Sequence, residues 1–142
     1  MTNQEEFIKL VSENPDLPVI PLVDHEVCAE GWGWWLGSLS CVKKGEIVFY
    51  DERWYDDRIA FVEQYYDNHC DELCEKFNFI PDMEYRHNKR GEFTEEAIIK
   101  NREAEKELDN YIRTEIADKY FTEAIILYIG LPNPDELNIC KD

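Results

Sequence analysis

Ala124-Ile125-Ile126-Leu127-Tyr128-Ile129 is a nearly all-apolar run closed by Gly130 and Pro132. It is too short for an ordinary helix, rich in β-branched side chains and bounded by turn residues, so it reads as a buried strand. A strand that is apolar on both faces is covered on both, which suits the interior of a sheet better than its margin. It is therefore expected to be the central strand of a sheet whose other members come from elsewhere in the chain.

Upstream of that run, Thr94 has N-cap character with Glu95 and Glu96 behind it, and Ala104, Leu108, Ile112 and Ile116 form an apolar stripe. The pattern predicts a long helix over about 94–119. Ile59, Val62, Tyr66, Cys70, Leu73 and Phe77 recur at intervals of three and four and predict another over about 56–77. Between the two, residues 78–93 contain Pro81, Gly91 and the basic cluster Arg86-His87-Asn88-Lys89-Arg90 without a sustained period. This segment is expected to be a connection or a short hairpin.

The N-terminal part has a different texture. Thr2 and Glu5 have capping-box spacing, and Phe7, Ile8, Leu10 and Val11 follow before Asn14-Pro15, so the chain opens with a short helix. From Leu17 to Arg53 β-branched and aromatic residues are broken by Gly and Pro, which predicts three or four strands with a turn at Lys43-Lys44-Gly45-Glu46. The expected architecture is a single α+β domain over residues 1–142. A mainly antiparallel sheet (17–53 plus 124–129) packs against two long helices, and 133–142 forms a loose polar tail.

The 142 residues include 44% hydrophobic and 33% charged side chains, enough apolar surface to exclude disorder over most of the length. The formal charge of −17 repels nucleic-acid backbone and anionic membrane, so neither is expected as a partner. No apolar window is long enough to span a bilayer, and the acidic start Met1-Thr2-Asn3-Gln4-Glu5-Glu6 lacks the features of an export signal. Five cysteines, an odd number, then point to reduced thiols.

Catalytic and cofactor motifs are missing: the sequence has no Gly-x-Ser-x-Gly elbow, P-loop or His-Glu-x-x-His. His69, Cys70 and Cys74 do not make a metal set without a second ligand pair, and the thiols are expected to be buried and structural. His25 between Asp24 and Glu26 reads as a surface histidine rather than a general base. In Gly31-Trp32-Gly33-Trp34-Trp35-Leu36-Gly37 the indoles either lie over glycines within a strand or offer a stacking platform. No enzyme and no cofactor are expected.

The scarce cations concentrate in Arg53-Trp54-Tyr55-Asp56-Asp57-Arg58 and in Arg86 to Arg90, among Trp54, Tyr55, Phe77, Phe79, Tyr85 and Phe93. Rings that stack a base together with guanidinium forks that hold its phosphates require this combination. The same arginines can also simply pair with nearby acids on a solvated surface. The candidate phosphate- and ribose-binding groups are Arg58, Arg86, Asn88, Arg90 and Arg113, with Phe79 or Trp54 stacking adenine. Arg113, near a helix end, could reach from one subunit toward another's pocket.

Four stretches, Asn14-Pro15-Asp16-Leu17-Pro18-Val19-Ile20-Pro21-Leu22-Val23, Trp34-Trp35-Leu36-Gly37, Asp51-Glu52-Arg53-Trp54-Tyr55-Asp56-Asp57-Arg58, and Lys119-Tyr120-Phe121 with residues 124–129, resemble small proteins of bacteriophages of Gram-positive hosts. More narrowly, they resemble the phage Thoeris anti-defence sponges over most of residues 14–131. The resemblance implies a protein of the infected host's cytoplasm that binds and sequesters cyclic ADP-ribose isomers made by bacterial TIR-domain immune enzymes, blocking effector activation without degrading the signal. It also implies a homo-oligomer with nucleotide pockets at subunit junctions, and in some members a separate cyclic trinucleotide site. The segment 79–91 departs from the family's pattern. The alternative from the charge alone is an acidic inhibitor that imitates nucleic acid to occupy a protein groove.

Overall fold

The computed structural model describes residues 1–27 and 36–132. The expectations for the Gly31–Trp35 stretch and for a loose tail at 133–142 lie outside the described residues, as do Cys28 and Cys140. The fold is α+β, with strand order β1-β4-β2-β3 among the described residues. The chain divides into two compact units, one from Met1–Ile47 and Thr122–Asp142, the other Val48–Phe121.

The first, a sheet unit, opens with helix α1 (Asn3–Glu13). Thr2 accepts from the Glu5 amide while the Glu5 carboxylate accepts from the Thr2 amide, which is the expected capping box. β1 (Val19–Val23) runs parallel to β4 (Thr122–Gly130), in register Val19 to Ile125 through Val23 to Ile129. β4 also pairs antiparallel with β2 (Ser38–Tyr50), so the apolar run is the inner strand that its composition predicts. Ala124, Ile125 and Ile126 are fully buried. Pro21, which can donate no ladder hydrogen bond, falls on β1, an edge strand where that donor is dispensable.

The turn expected at 43–46 is not there. Lys43, Lys44, Gly45 and Glu46 pair with Ile126, Ile125, Ala124 and Glu123, so β2 passes straight through them. Gly45 supplies room instead of a bend, because a Cβ there would press on Ile126 Cδ1 at 3.3 Å. The chain reverses at Asp51 and Glu52, whose φ values of 51° and 63° make the two-residue hairpin turn leading to β3 (Arg53–Tyr55).

That hairpin belongs to the second, helical unit. Asp57 caps α2 (Arg58–Asn68) by accepting from the Ile59 amide. The helix expected over 56–77 is broken: His69, at φ −127°, ends α2 and begins α3 (Cys70–Phe77). The apolar spacing runs through the break in phase, which is why the sequence conceals it. Residues 78–93 are also corrected, because Met83–Arg90 forms a helix, α4, rather than a hairpin. Only Met83 of α4 is buried, so no stripe betrays it, and Gly91 closes it at φ 63°.

Thr94 caps α5 (Glu95–Tyr111) through the Ala97 amide. A π-helical turn at Ile112–Ile116 and α6 (Ala117–Tyr120) continue the same run, close to the expected 94–119. Leu108, Ile112 and Ile116 point inward as the stripe requires, into a core with Val48, Tyr55, Phe61, Val62, Leu73 and Ala117. Phe61 lies at its centre, fully buried, with Tyr50, Tyr65, Tyr120 and Phe121 ring to ring around it at 5.2 to 5.7 Å.

Candidate functional site

The predicted arginines fall into two groups in the helical unit. On α4, Arg86 and Arg90 stand one turn apart and share one carboxylate: Arg86 Nη2 lies 2.6 Å and Arg90 Nη1 3.5 Å from the oxygens of Glu92. The Arg86 guanidinium also lies 4.8 Å over the Phe93 ring. Two positive charges around one negative leave this helix face cationic, with Lys89 beside it. Asn88 opens on a cleft of about 300 Å³ between α4 and the start of α5, together with His87, Glu95 and Arg102.

The second group lies where α2 begins. Arg58 Nη1 donates to the Arg113 carbonyl at 2.7 Å and to Asp118 Oδ1 at 2.8 Å, and the guanidinium rests over Phe121 at 5.5 Å. Arg113 sits in the π-helical turn, a geometry frequent at functional sites. Its side chain reaches back to Asp109 at 3.5 Å. Each predicted arginine thus has an acidic partner, the bland alternative that surface charge always allows.

The two rings are placed differently from each other. Trp54, 53% exposed on β3, tilts against Phe49 with centroids 5.0 Å apart. Phe79 is half-buried against the core and lines a cleft of about 390 Å³ between α2, the 78–82 loop, the start of α4 and α5.

That cleft was not legible in the sequence. Its floor is apolar (Val62, Phe79, Met83, Leu108) and its rim is acidic: Glu63, Asp82, Glu84, Glu105 and Asp109. Asn101, 7% exposed, is the buried polar residue that shapes it. Its Oδ1 accepts from the Ile80 amide at 2.8 Å and its Nδ2 donates to the Ile80 carbonyl at 2.9 Å. This two-point clamp holds a loop whose ends, Asn78 and Asp82, take φ values of 53° and 63°. The available signal was an asparagine on α5 three residues after Ile98 and seven before Leu108, spacings that put it on the same inward face. On the rim, Arg102 holds the Glu84 carboxyl below the usual carboxylate range.

Beside the cleft, Tyr66 Oη and Cys74 Sγ lie 3.5 Å apart and the Cys70 and Cys74 sulfurs 3.7 Å. Burial, together with its hydrogen bonds to the two thiols, raises the Tyr66 hydroxyl far above its ordinary value, and burial raises the Cys74 thiol. These thiols are half-buried rather than buried as expected. His25 is exposed, 3.3 Å from Asp24. Among the described residues no group of histidines, cysteines and carboxylates could hold a metal ion, and no helix is long and apolar enough to cross a membrane. Comparison of the chain with protein-family profiles, with curated proteins and with solved structures finds no match.

Proposed function

We propose that this protein sequesters cyclic ADP-ribose isomers made by TIR-domain immune enzymes, as an oligomeric phage anti-defence protein that binds the signal and leaves it intact. The observation that supports this reading most is the α4 face. In a chain of formal charge −17, Arg86 and Arg90 share one carboxylate, Phe93 supports a guanidinium from below, and Asn88 of the same helix opens on the neighbouring cleft. A guanidinium held by one carboxylate keeps further N–H donors for phosphate oxygens. In this reading Arg86 and Arg90 meet the diphosphate and Asn88 a ribose hydroxyl, while adenine stacks on Trp54 or Phe79. Arg58 and Arg113 contribute from a second copy, which explains why one chain does not gather all seven groups. Host cytoplasm follows as the place of action, and cyclic trinucleotides as a second ligand class.

Calorimetric titration with a cyclic ADP-ribose isomer tests the assignment. A ring that stacks the base contributes about 1 to 3 kcal/mol, so Trp54→Ala or Phe79→Ala weakens binding by that amount. The pair Arg86→Ala with Arg90→Ala lowers affinity further and reduces its salt dependence. If none of these variants differs from the parent chain, the site is elsewhere.

A further inference from the structure

We propose that the 390 Å³ cleft on the helical unit binds a small organic cation, a ring-sized apolar body carrying one ammonium or guanidinium group. The inference goes beyond the nucleotide reading and is compatible with it when Trp54, rather than the cleft residue Phe79, stacks adenine. Volume and floor set the body of the ligand: about 390 Å³ floored by Val62, Phe79, Met83 and Leu108 is the size and texture of a small-molecule pocket. The rim sets its charge. Of its five carboxylates, Glu84 is bound by Arg102 and Asp109 lies 3.5 Å from Arg113. Glu63, Asp82 and Glu105 have no ion-pair partner among the described residues.

Unneutralised carboxylates above a low-dielectric floor focus a negative potential into the cleft. A diphosphate is therefore disfavoured there, and a neutral molecule gains only from the floor. A cation with an apolar body gains from both, and Tyr66 and Tyr85 add aromatic surface to the lining. The cleft is also preformed. Asn101 clamps Ile80 at two points, so little conformational entropy is lost when a ligand enters.

The test uses the full chain, isotopically labelled for amide NMR, titrated at low salt with three probes of one shape: phenylbutylamine, phenylbutanol and phenylbutyrate. The amine is expected to bind roughly tenfold more tightly than the alcohol, the size of one added charge interaction in a partly dry site. Its amide shifts centre on Ile80, Asn101 and Leu108, and the butyrate does not bind. Glu63→Gln with Glu105→Gln, both at exposed positions, erases the advantage of the amine and leaves the alcohol unchanged, whereas Phe79→Ala weakens amine and alcohol alike. Equal affinity for amine and alcohol, preference for the butyrate, no saturable shift with the amine, or an amine preference that survives the glutamine pair would each overturn the proposal.

Discussion

The sheet unit and the helical unit put their apolar residues to different use. In the sheet unit Ile47, Ala124 and Ile126 form a small cluster with Ile20, Leu22 and Tyr128 at its margin. Ladder pairing to β1 on one side and β2 on the other organises the rest. The helical unit builds a larger core around Phe61, and the clefts at its edge are lined by several charged groups, whereas the cleft of about 310 Å³ on the sheet unit has Asp24 as its one charged lining residue among the described residues. Every predicted binding residue, from Trp54 to Arg113, falls in the helical unit. A ladder consumes the backbone groups that would otherwise recognise a ligand, whereas short helices with irregular joints expose side chains in fixed positions.

The largest effect expected from this contrast is Phe61→Ala, which removes the ring at the centre of the helical core and costs about 3 to 5 kcal/mol of stability. Ile126→Ala, its counterpart in the sheet unit, falls lower in the overlapping range of about 2 to 5 kcal/mol. Urea titrations of both variants rank them, and the reverse order would mean that the sheet carries more of the stability than its cluster suggests.

Alkaline titration sharpens the comparison. Burial raises the Tyr65 and Tyr66 hydroxyls above 10.0 and the Cys74 thiol above 9.0, all three in the helical unit. Below those values both folded and unfolded chains keep these protons, and this stabilising contribution is whole. Above them the unfolded chain ionises first, so stability falls as pH rises toward the folded values. The melting temperature should drop through this alkaline window while tyrosinate absorbance of the folded protein lags behind that of free tyrosine.

Asn101→Ala removes the clamp on Ile80 and costs about 1 to 3 kcal/mol, the penalty for leaving buried amide groups unpaired. The 78–82 loop should then exchange its amide hydrogens faster than the rest of the helical unit. The smallest effect is a gain. Asp51 and Glu52 occupy left-handed backbone that asparagine and glycine adopt more readily, so Asp51→Asn with Glu52→Gly should stabilise the protein by roughly 1 kcal/mol in thermal unfolding.

What the sequence revealed divides along the same physical line. Burial leaves a period, so β4, the inward stripe from Leu108 to Ile116 and the caps at Thr2 and Thr94 were all legible. Features that do not depend on a buried period were not. α4 buries only Met83, the break at His69 preserves the spacing on either side, and Gly45 lies inside a strand although its neighbours have turn chemistry. The arginines and rings were identifiable as types, but their division among α4, the Arg58–Arg113 contact and the Phe79 wall depends on joints no local pattern encodes. The acid-rimmed cleft needed the fold, since its rim draws on residues from Glu63 to Asp109.

Sequestration of a nucleotide signal without alteration is put to the test by incubating the protein with the product mixture of a TIR-domain enzyme. The protein is then separated from free ligand, denatured by heat, and the supernatant analysed by mass spectrometry. A protein that sequesters the signal releases a cyclic ADP-ribose isomer with its mass and effector-activating capacity unchanged, in proportion to the protein added. A hydrolysed nucleotide in the supernatant, or none at all, would contradict sequestration.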